Sequence, residues 1–132
     1  TTIEEKAFKG CTSLTEVTIP PSVARISKGL FSGCTSLAQV SFPPALKEIK
    51  DEAFSECTSL TQITIPSSVK SIGSSAFFGC FALADVTIPS SIKSIENAFY
   101  GCIALAQVSI PITVKSIGSN AFPIDTNIAY YS

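Results

Sequence analysis

One residue type recurs along this chain at a nearly constant interval, and that interval constrains the fold more than any other feature. Six phenylalanines are separated by 23, 23, 23, 22 and 23 residues, at Phe8, Phe31, Phe54, Phe77, Phe99 and Phe122. Each of the first five is followed three residues later by a cysteine, and three residues after that by a leucine. The chain is therefore an internal repeat of about 23 residues, which is typical of a solenoid of stacked coils.

Each repeat predicts two extended segments joined by turns. The unit is A-F-x-G-C-x-x-L-x-x-V-x-I-P-x-x-V-x-x-I, with small departures. Its V-x-I part alternates apolar and polar residues and ends at proline, which indicates a short strand. The V-x-x-I part predicts a second extended stretch on the opposite side, and A-F-x-G-C is expected to form one helical turn. Stacked coils about 4.8 Å apart would then align Phe, Cys, Leu, Val and Ile columns in one core.

The repeat pattern predicts one domain. Residues 1–122 are expected to form the solenoid, with about five and a half repeats, and residues 123–132 a C-terminal tail or partial cap. No polar capping sequence stands at either end, so we expect a segment of a longer protein, or ends that partners cover. The uncharged stretch 97–114 is in phase with charged repeats, so we interpret it as a repeat and not as a membrane span.

Composition excludes several classes of function. Only 14% of residues are charged and the net charge is −1, which argues against a nucleic-acid partner. The chain has no histidine, so a histidine general base or a histidine-activated nucleophile is impossible. It also lacks a glycine-rich phosphate loop. We therefore expect neither an enzyme nor a cofactor.

The five cysteines occur once per repeat, at Cys11, Cys34, Cys57, Cys80 and Cys102. Equivalent residues of stacked coils lie about 4.8 Å apart, whereas disulfide Cβ atoms lie about 3.8 Å apart. A column of this kind also does not converge on a metal ion, so no metal site is expected. The favoured interpretation is reduced, buried thiols that act as small hydrophobic groups. An occasional disulfide is the alternative.

Strand residues that alternate with the core Val and Ile are expected to point outward. They form two polar columns, one of Glu16, Gln39, Gln62, Asp85 and Gln107 and one of Thr18, Ser41, Thr64, Thr87 and Ser109. We call these ten residues the strand face. Two interpretations stay open, a solvated surface and a ligand-binding surface.

A lysine column falls in the V-x-x-I segment, on the side opposite the strand face. It consists of Lys47, Lys70, Lys93 and Lys115, with Ala24 in the first repeat. One interpretation is that these lysines keep an extended face soluble and prevent edge pairing. The other is that they dock an anionic polymer such as a sulfated glycan.

The fourth and fifth repeats carry apolar residues where earlier repeats carry lysine, serine or threonine. These residues are Phe78, Phe81, Tyr100 and Ile103, which we call the apolar patch. Their positions alternate with core positions, so they are expected to be exposed and contiguous, which soluble monomers usually avoid. Three interpretations stay open: a neighbouring domain or cap that covers the patch, a self-association surface such as that of a homodimer, and simple tolerated exposure.

The repeats AFKGCTSLTEVTIPPSV (Ala7 to Val23) and AFSECTSLTQITIPSSV (Ala53 to Val69) resemble the BspA-like leucine-rich repeats. These occur in surface proteins of bacteria and some protozoan parasites, and the resemblance covers Ile3 to Phe122. It implies a leucine-rich-repeat solenoid, mostly of short parallel strands, at the cell surface or secreted. It further implies that the concave strand face or its rim binds a protein or glycan, for example in extracellular matrix, for adhesion or host contact. A structural spacer or self-assembly segment is the alternative, because the outward column varies only among Glu, Gln and Asp.

Overall fold

The chain forms a solenoid of short parallel strands. The computed structural model describes residues 3–132, so the first two residues of the predicted 1–122 domain lie outside the described part. Six strands come from the V-x-I segments and their C-terminal counterpart: β1 Glu16–Thr18, β3 Gln39–Ser41, β5 Gln62–Thr64, β7 Asp85–Thr87, β9 Gln107–Pro111 and β11 Asn127–Tyr131. Five come from the V-x-x-I segments: β2 Arg25–Ile26, β4 Glu48–Ile49, β6 Ser71–Ile72, β8 Ser94–Ile95 and β10 Ser116–Ile117.

Strands pair between successive coils, in register with the repeat. On one side the sheets are β1-β3 and β5-β7-β9-β11, and on the other they are β2-β4-β6 and β8-β10. Equivalent core residues are paired across neighbouring strands: Val17 lies beside Val40, and Ile63 lies beside Val86. The predicted parallel solenoid, with two extended segments per coil, is therefore confirmed.

The first of these sides continues past the last phenylalanine. Strand β11 pairs with β9 over five positions, from Asn127 beside Gln107 to Tyr131 beside Pro111. The hydroxyl of Tyr131 also donates a hydrogen bond to the carbonyl of Ile88. Both contacts hold the last residues of the chain on the sheet.

A single large side chain coincides with the gap between β3 and β5, which are not hydrogen-bonded to each other. Phe42 occupies the position that isoleucine holds in the other four repeats. Its ring meets that of Phe54 edge-on, with centroids 5.8 Å apart and planes at 76°. The bulkier phenylalanine thus lies at the joint where the two strands are not hydrogen-bonded.

The core is organised around a stack of six phenylalanine rings. Successive ring centroids are 5.1 to 5.5 Å apart and the planes differ by at most 14°. The four inner rings are fully buried, whereas Phe8 at one end is 40% exposed. Stacked aromatic pairs contribute about 0.5–1.5 kcal/mol each beyond the burial of area. The stack therefore stabilises the joints between coils as well as the coils themselves.

The A-F-x-G-C segment is not helical, so the expectation of a helical turn is wrong. No helix occurs anywhere in residues 3–132. Alternate N–H groups bond in different directions: that of Leu30 donates to Ser27 in its own coil, at 3.1 Å, and that of Phe31 donates to Ala53 in the next coil, at 2.8 Å. Gly29 and Gly33 adopt positive φ of 63° and 74°. A helix requires negative φ throughout and an unbroken run of bonds within the segment, and both are interrupted here.

The same positive-φ positions are occupied by larger residues in other coils. Glu52 and Ser75 stand where the second coil has Gly29, with φ of 58° and 57°. Glu56 stands where the other coils have glycine, with φ of 60°. Such a conformation costs a residue with a Cβ about 1–2 kcal/mol. The bonds to neighbouring coils enforce it, because the N–H groups of Glu52 and Glu56 both donate across the joint.

In the one shortened repeat, a side chain takes the place of a backbone hydrogen-bond acceptor. In the third coil the N–H of Glu52 donates to the carbonyl of Ser74, at 3.0 Å. In the fourth coil the equivalent N–H, that of Ser75, donates instead to Oδ1 of Asn97, at 3.2 Å. The hydroxyl of Ser74 donates to the same oxygen, at 2.8 Å. Asn97 thus supplies an acceptor at the turn from which one residue is missing.

Candidate binding surfaces

The strand face is present as two columns of side chains across successive strands. All of its residues are exposed except Ser109, which is half-buried. Parallel register sets Gln62 beside Asp85 and Thr64 beside Thr87. Because neighbouring strands lie about 4.8 Å apart, each coil adds one amide or carboxylate and one hydroxyl at that interval.

The side chains of the strand face are available to a ligand. Within residues 3–132, none of the ten makes a side-chain hydrogen bond or an ion pair to another part of the chain. Its two charged members, Glu16 and Asp85, are both acidic. The face therefore offers many donors and acceptors with a small negative charge.

A shallow depression lies on the part of this face that β5 and β7 form. It measures about 180 Å³ and is bordered by Gln62, Thr64, Asp85, Thr87 and Pro89. Sites for drug-sized molecules usually measure about 300–1,000 Å³. The depression suits one group of an extended ligand better than a whole enclosed molecule.

The four residues of the apolar patch lie on adjacent coils, as their spacing predicts. Phe81, Tyr100 and Ile103 are 53%, 47% and 73% exposed. Phe78 is half-buried, and its ring stacks on that of Tyr100 with centroids 5.7 Å apart and planes at 17°. The role of this patch as an interface stays a prediction.

The cysteines are free thiols in the structure, and four of the five are buried. Each buried thiol donates to the carbonyl of a phenylalanine in the preceding coil; Cys57 reaches Phe31 at 3.2 Å and Cys80 reaches Phe54 at 3.1 Å. Burial raises the pKa of Cys34, and raises that of Cys57 to about 12. The pKa of Cys80 is raised by its hydrogen bond to Cys102 and by burial. Cys34, Cys57 and Cys80 therefore stay protonated at neutral pH, and the thiolate is the reactive form.

The thiol-to-carbonyl bonds were missed by the sequence reasoning, which treated cysteine as a small hydrophobic residue. A signal was present, since all five complete repeats carry cysteine at this position and none carries alanine or valine. Alanine and valine would pack there but have no proton to donate. The residue choice therefore fits a small apolar group with one weak donor.

The described part of the chain holds no cluster of acidic, cysteine or histidine side chains suited to a metal ion. Between residues 3 and 132 there is also no helix able to cross a membrane.

A sequence profile described as the BspA type leucine rich repeat region matches six copies over residues 1–129. The chain belongs to the BspA-type leucine-rich-repeat family. No curated protein matches the chain. The resemblance in the repeats is thereby confirmed over nearly the whole BspA-type chain.

Solved structures with the same fold come from several bacteria. A leucine rich cell surface protein from Faecalibacterium prausnitzii is 31% identical, with a TM-score of 0.66, over 96% of this chain and 44% of its own. A leucine rich repeat protein from T. pallidum is 32% identical, with a TM-score of 0.64, over 91% of this chain and 70% of its own. A third, from Bacteroides ovatus, is 27% identical, with a TM-score of 0.60, over 94% and 41%. The chain thus spans less than half the length of two of them.

Proposed function

We propose that this BspA-type chain is a binding module that takes up a protein or glycan ligand on its strand face, at the cell surface or outside the cell. The observation that carries the proposal is the set of ten polar side chains without internal partners, repeated at coil spacing along parallel strands. An extended ligand on this surface would meet an amide or carboxylate and a hydroxyl from each coil. Affinity would then come from many modest hydrogen bonds added together.

Location and role are supported by the family. The similar protein from Faecalibacterium prausnitzii is described as a leucine rich cell surface protein. A surface position would expose the strand face to host or matrix molecules, so adhesion or host contact is the role we propose. The activity we propose is binding without catalysis, because the chain has no histidine to serve as a general base for the hydroxyls of the strand face.

Solid-phase binding tests the proposal. The chain is applied to immobilised extracellular matrix proteins and uncharged glycans, at low and at physiological salt. A face variant carries Gln39→Ala, Gln62→Ala, Asp85→Ala and Gln107→Ala. A matched control carries Ser13→Ala, Ser67→Ala, Ser90→Ala and Ser119→Ala, which are exposed outside the strand face.

Loss of a specific interaction in the face variant alone is the expected result. Circular dichroism should report the same fold for the wild type and both variants, because all eight side chains are exposed. Binding that survives in the face variant, or a wild-type chain that binds no member of the panel, would contradict the proposal.

A second candidate is a structural spacer or self-assembly segment that is joined through the apolar patch. The observation in its favour is the exposed cluster of Phe81, Tyr100 and Ile103 beside Phe78 on two adjacent coils. We expect a variant with Phe78→Ser and Tyr100→Ser to keep its fold and to lose any dimer seen by light scattering. A wild type that dimerises and a variant of unchanged mass would remove this candidate.

A further inference from the structure

The side of the solenoid opposite the strand face carries a row of lysines. Lys47, Lys70, Lys93 and Lys115 are all exposed. The N–H of Lys70 donates to the carbonyl of Lys47 at 2.8 Å, and that of Lys115 to Lys93 at 2.7 Å. The two middle coils are joined on the other side by the pairing of β5 with β7. One lysine therefore stands on each of four successive coils, with backbones about 4.8 Å apart where they bond. The ammonium group of Lys93 donates to the carbonyl of Ser90 at 3.1 Å.

A column of small polar residues runs beside the lysines. Each of the last three lysines is followed by an exposed serine, Ser71, Ser94 and Ser116, and the last two are paired in register. We call these four lysines and three serines the lysine strip. It therefore presents hydroxyl groups next to positive charges.

Carboxylates do not neutralise the lysine strip. Glu48, the one carboxylate in these two columns, bonds to Arg25 at 2.6 Å and lies 3.4 Å from Lys50. The hydrogen bond from Arg25 is the main reason that the pKa of Glu48 is lowered. Glu96 follows the fourth-coil serine by two residues, but in the described range it makes no ion pair with the strip. Four like charges in a row repel one another, and a bound polyanion would relieve that repulsion.

We propose that the lysine strip binds a linear anionic polysaccharide, sulfated or carboxylated, that lies along the solenoid axis. Each coil would contribute one ammonium group to an anionic group of the polymer, and the serines would bond to sugar hydroxyls. The site is separate from the strand face and does not depend on the function proposed for it. The chain would then hold two ligands on opposite sides.

The composition of the strip favours a polysaccharide over other polyanions. Binding of single-stranded nucleic acid relies on aromatic side chains that stack on bases, and the strip contains none. Stable binding to a membrane surface usually adds apolar side chains that enter the lipid to the electrostatic attraction, and apolar side chains are missing from the exposed positions of the strip. Ammonium and hydroxyl groups alone match the sulfates, carboxylates and hydroxyls of an acidic sugar chain.

The test is titration of the chain with a heparin octasaccharide. By the counterion-release relation known for nucleic acids, four charge contacts should weaken binding roughly 50- to 150-fold between 50 and 200 mM salt. The variant Lys70→Gln, Lys93→Gln and Lys115→Gln leaves one contact, so its salt slope should fall to about a quarter. A variant with Lys→Arg at the same three positions should bind like the wild type.

A matched control changes the net charge equally elsewhere, with Lys6→Gln, Lys9→Gln and Lys28→Gln. It should bind heparin as the wild type does, and so should the Gln39, Gln62, Asp85 and Gln107 face variant. Equal losses in the strip variant and this control would show unspecific charge attraction and overturn the proposal, and so would binding indifferent to salt. Equally tight binding of duplex DNA through the same lysines would also overturn it. Loss of heparin binding in the face variant would move the glycan to the strand face.

Discussion

Raising the pH from about 9 to about 12 is expected to destabilise the folded chain through its buried thiols. Cys57 is fully buried, and burial raises its pKa from the ordinary 9.0 to about 12. In that range the unfolded chain loses this proton while the folded chain keeps it. The stabilisation is complete below pH 9 and declines by about 1.4 kcal/mol per pH unit, or about 4 kcal/mol in all. Cys34 and Cys80 act in the same direction, since their pKa values are also raised.

The assay is urea unfolding, followed by far-UV circular dichroism at a series of pH values. The variant Cys57→Ala should be less stable at neutral pH, because it loses the sulfur and the hydrogen bond to the Phe31 carbonyl. Its free energy of unfolding should nevertheless decline less steeply above pH 9 than that of the wild type. The two slopes should differ by about 1.4 kcal/mol per pH unit. All other ionisable groups are the same in both proteins, so the difference between the curves isolates the thiol. Val69→Ala, a buried change without a titrating group, should keep the wild-type slope.

Parallel curves for the wild type and Cys57→Ala between pH 9 and 12 would refute the reasoning. That result would mean that the Cys57 thiol has the same pKa in the folded chain as in the unfolded chain. A reduced slope in Val69→Ala would assign the effect to lost stability in general.

Three further changes test the turns and the core by urea unfolding. Glu56→Gly should raise the free energy of unfolding by about 0.5–1 kcal/mol, because relief of the positive φ outweighs the added freedom of glycine when unfolded; a lower midpoint would contradict this. Phe54→Ala should cost about 3–5 kcal/mol because it interrupts the ring stack, and Phe122→Ala at the end of the stack should cost less; equal losses would show that stacking does not matter. Asn97→Ala should lower the free energy of unfolding by about 1–2 kcal/mol and speed hydrogen exchange at the Ser75 amide, whereas Asn97→Asp should stay closer to the wild type. Unchanged exchange at that amide would show that Asn97 does not hold the turn.

The parallel strands, and which of their side chains point inward, could be predicted because the repeat shows directly which side chains are buried. Val17, Val40 and their equivalents recur in phase, so the residues between them had to form an outward column. The turns could not be predicted in the same way. Glutamate is a good helix former, yet Glu56 takes a positive φ because its N–H bonds to the next coil. That partner is distant in sequence, and no local pattern reports it.

The candidate surfaces were predictable in position but not in detail. The spacing placed Tyr100 and Ile103 on the outside, where they are found. It did not reveal that Phe78 would rest its ring on Tyr100, because that contact depends on side-chain rotation about adjacent coils. The gap between β3 and β5 was missed for a related reason, since a period describes what the repeats share and not how one joint differs from the others.

The amide of Asn97 bears on how such arrays can change length. A lost residue in a solenoid threatens to shift every later coil by one position, which would exchange inward and outward side chains along the rest of the chain. Here the frame is restored within the same turn, and Phe99 still stacks on Phe77 at 5.1 Å. A change in coil length is therefore absorbed within one turn, where a single polar side chain completes the hydrogen bonds between coils of unequal length. Coils of 22 and 23 residues can then stand side by side in one array, with no change needed in the coils beyond the turn.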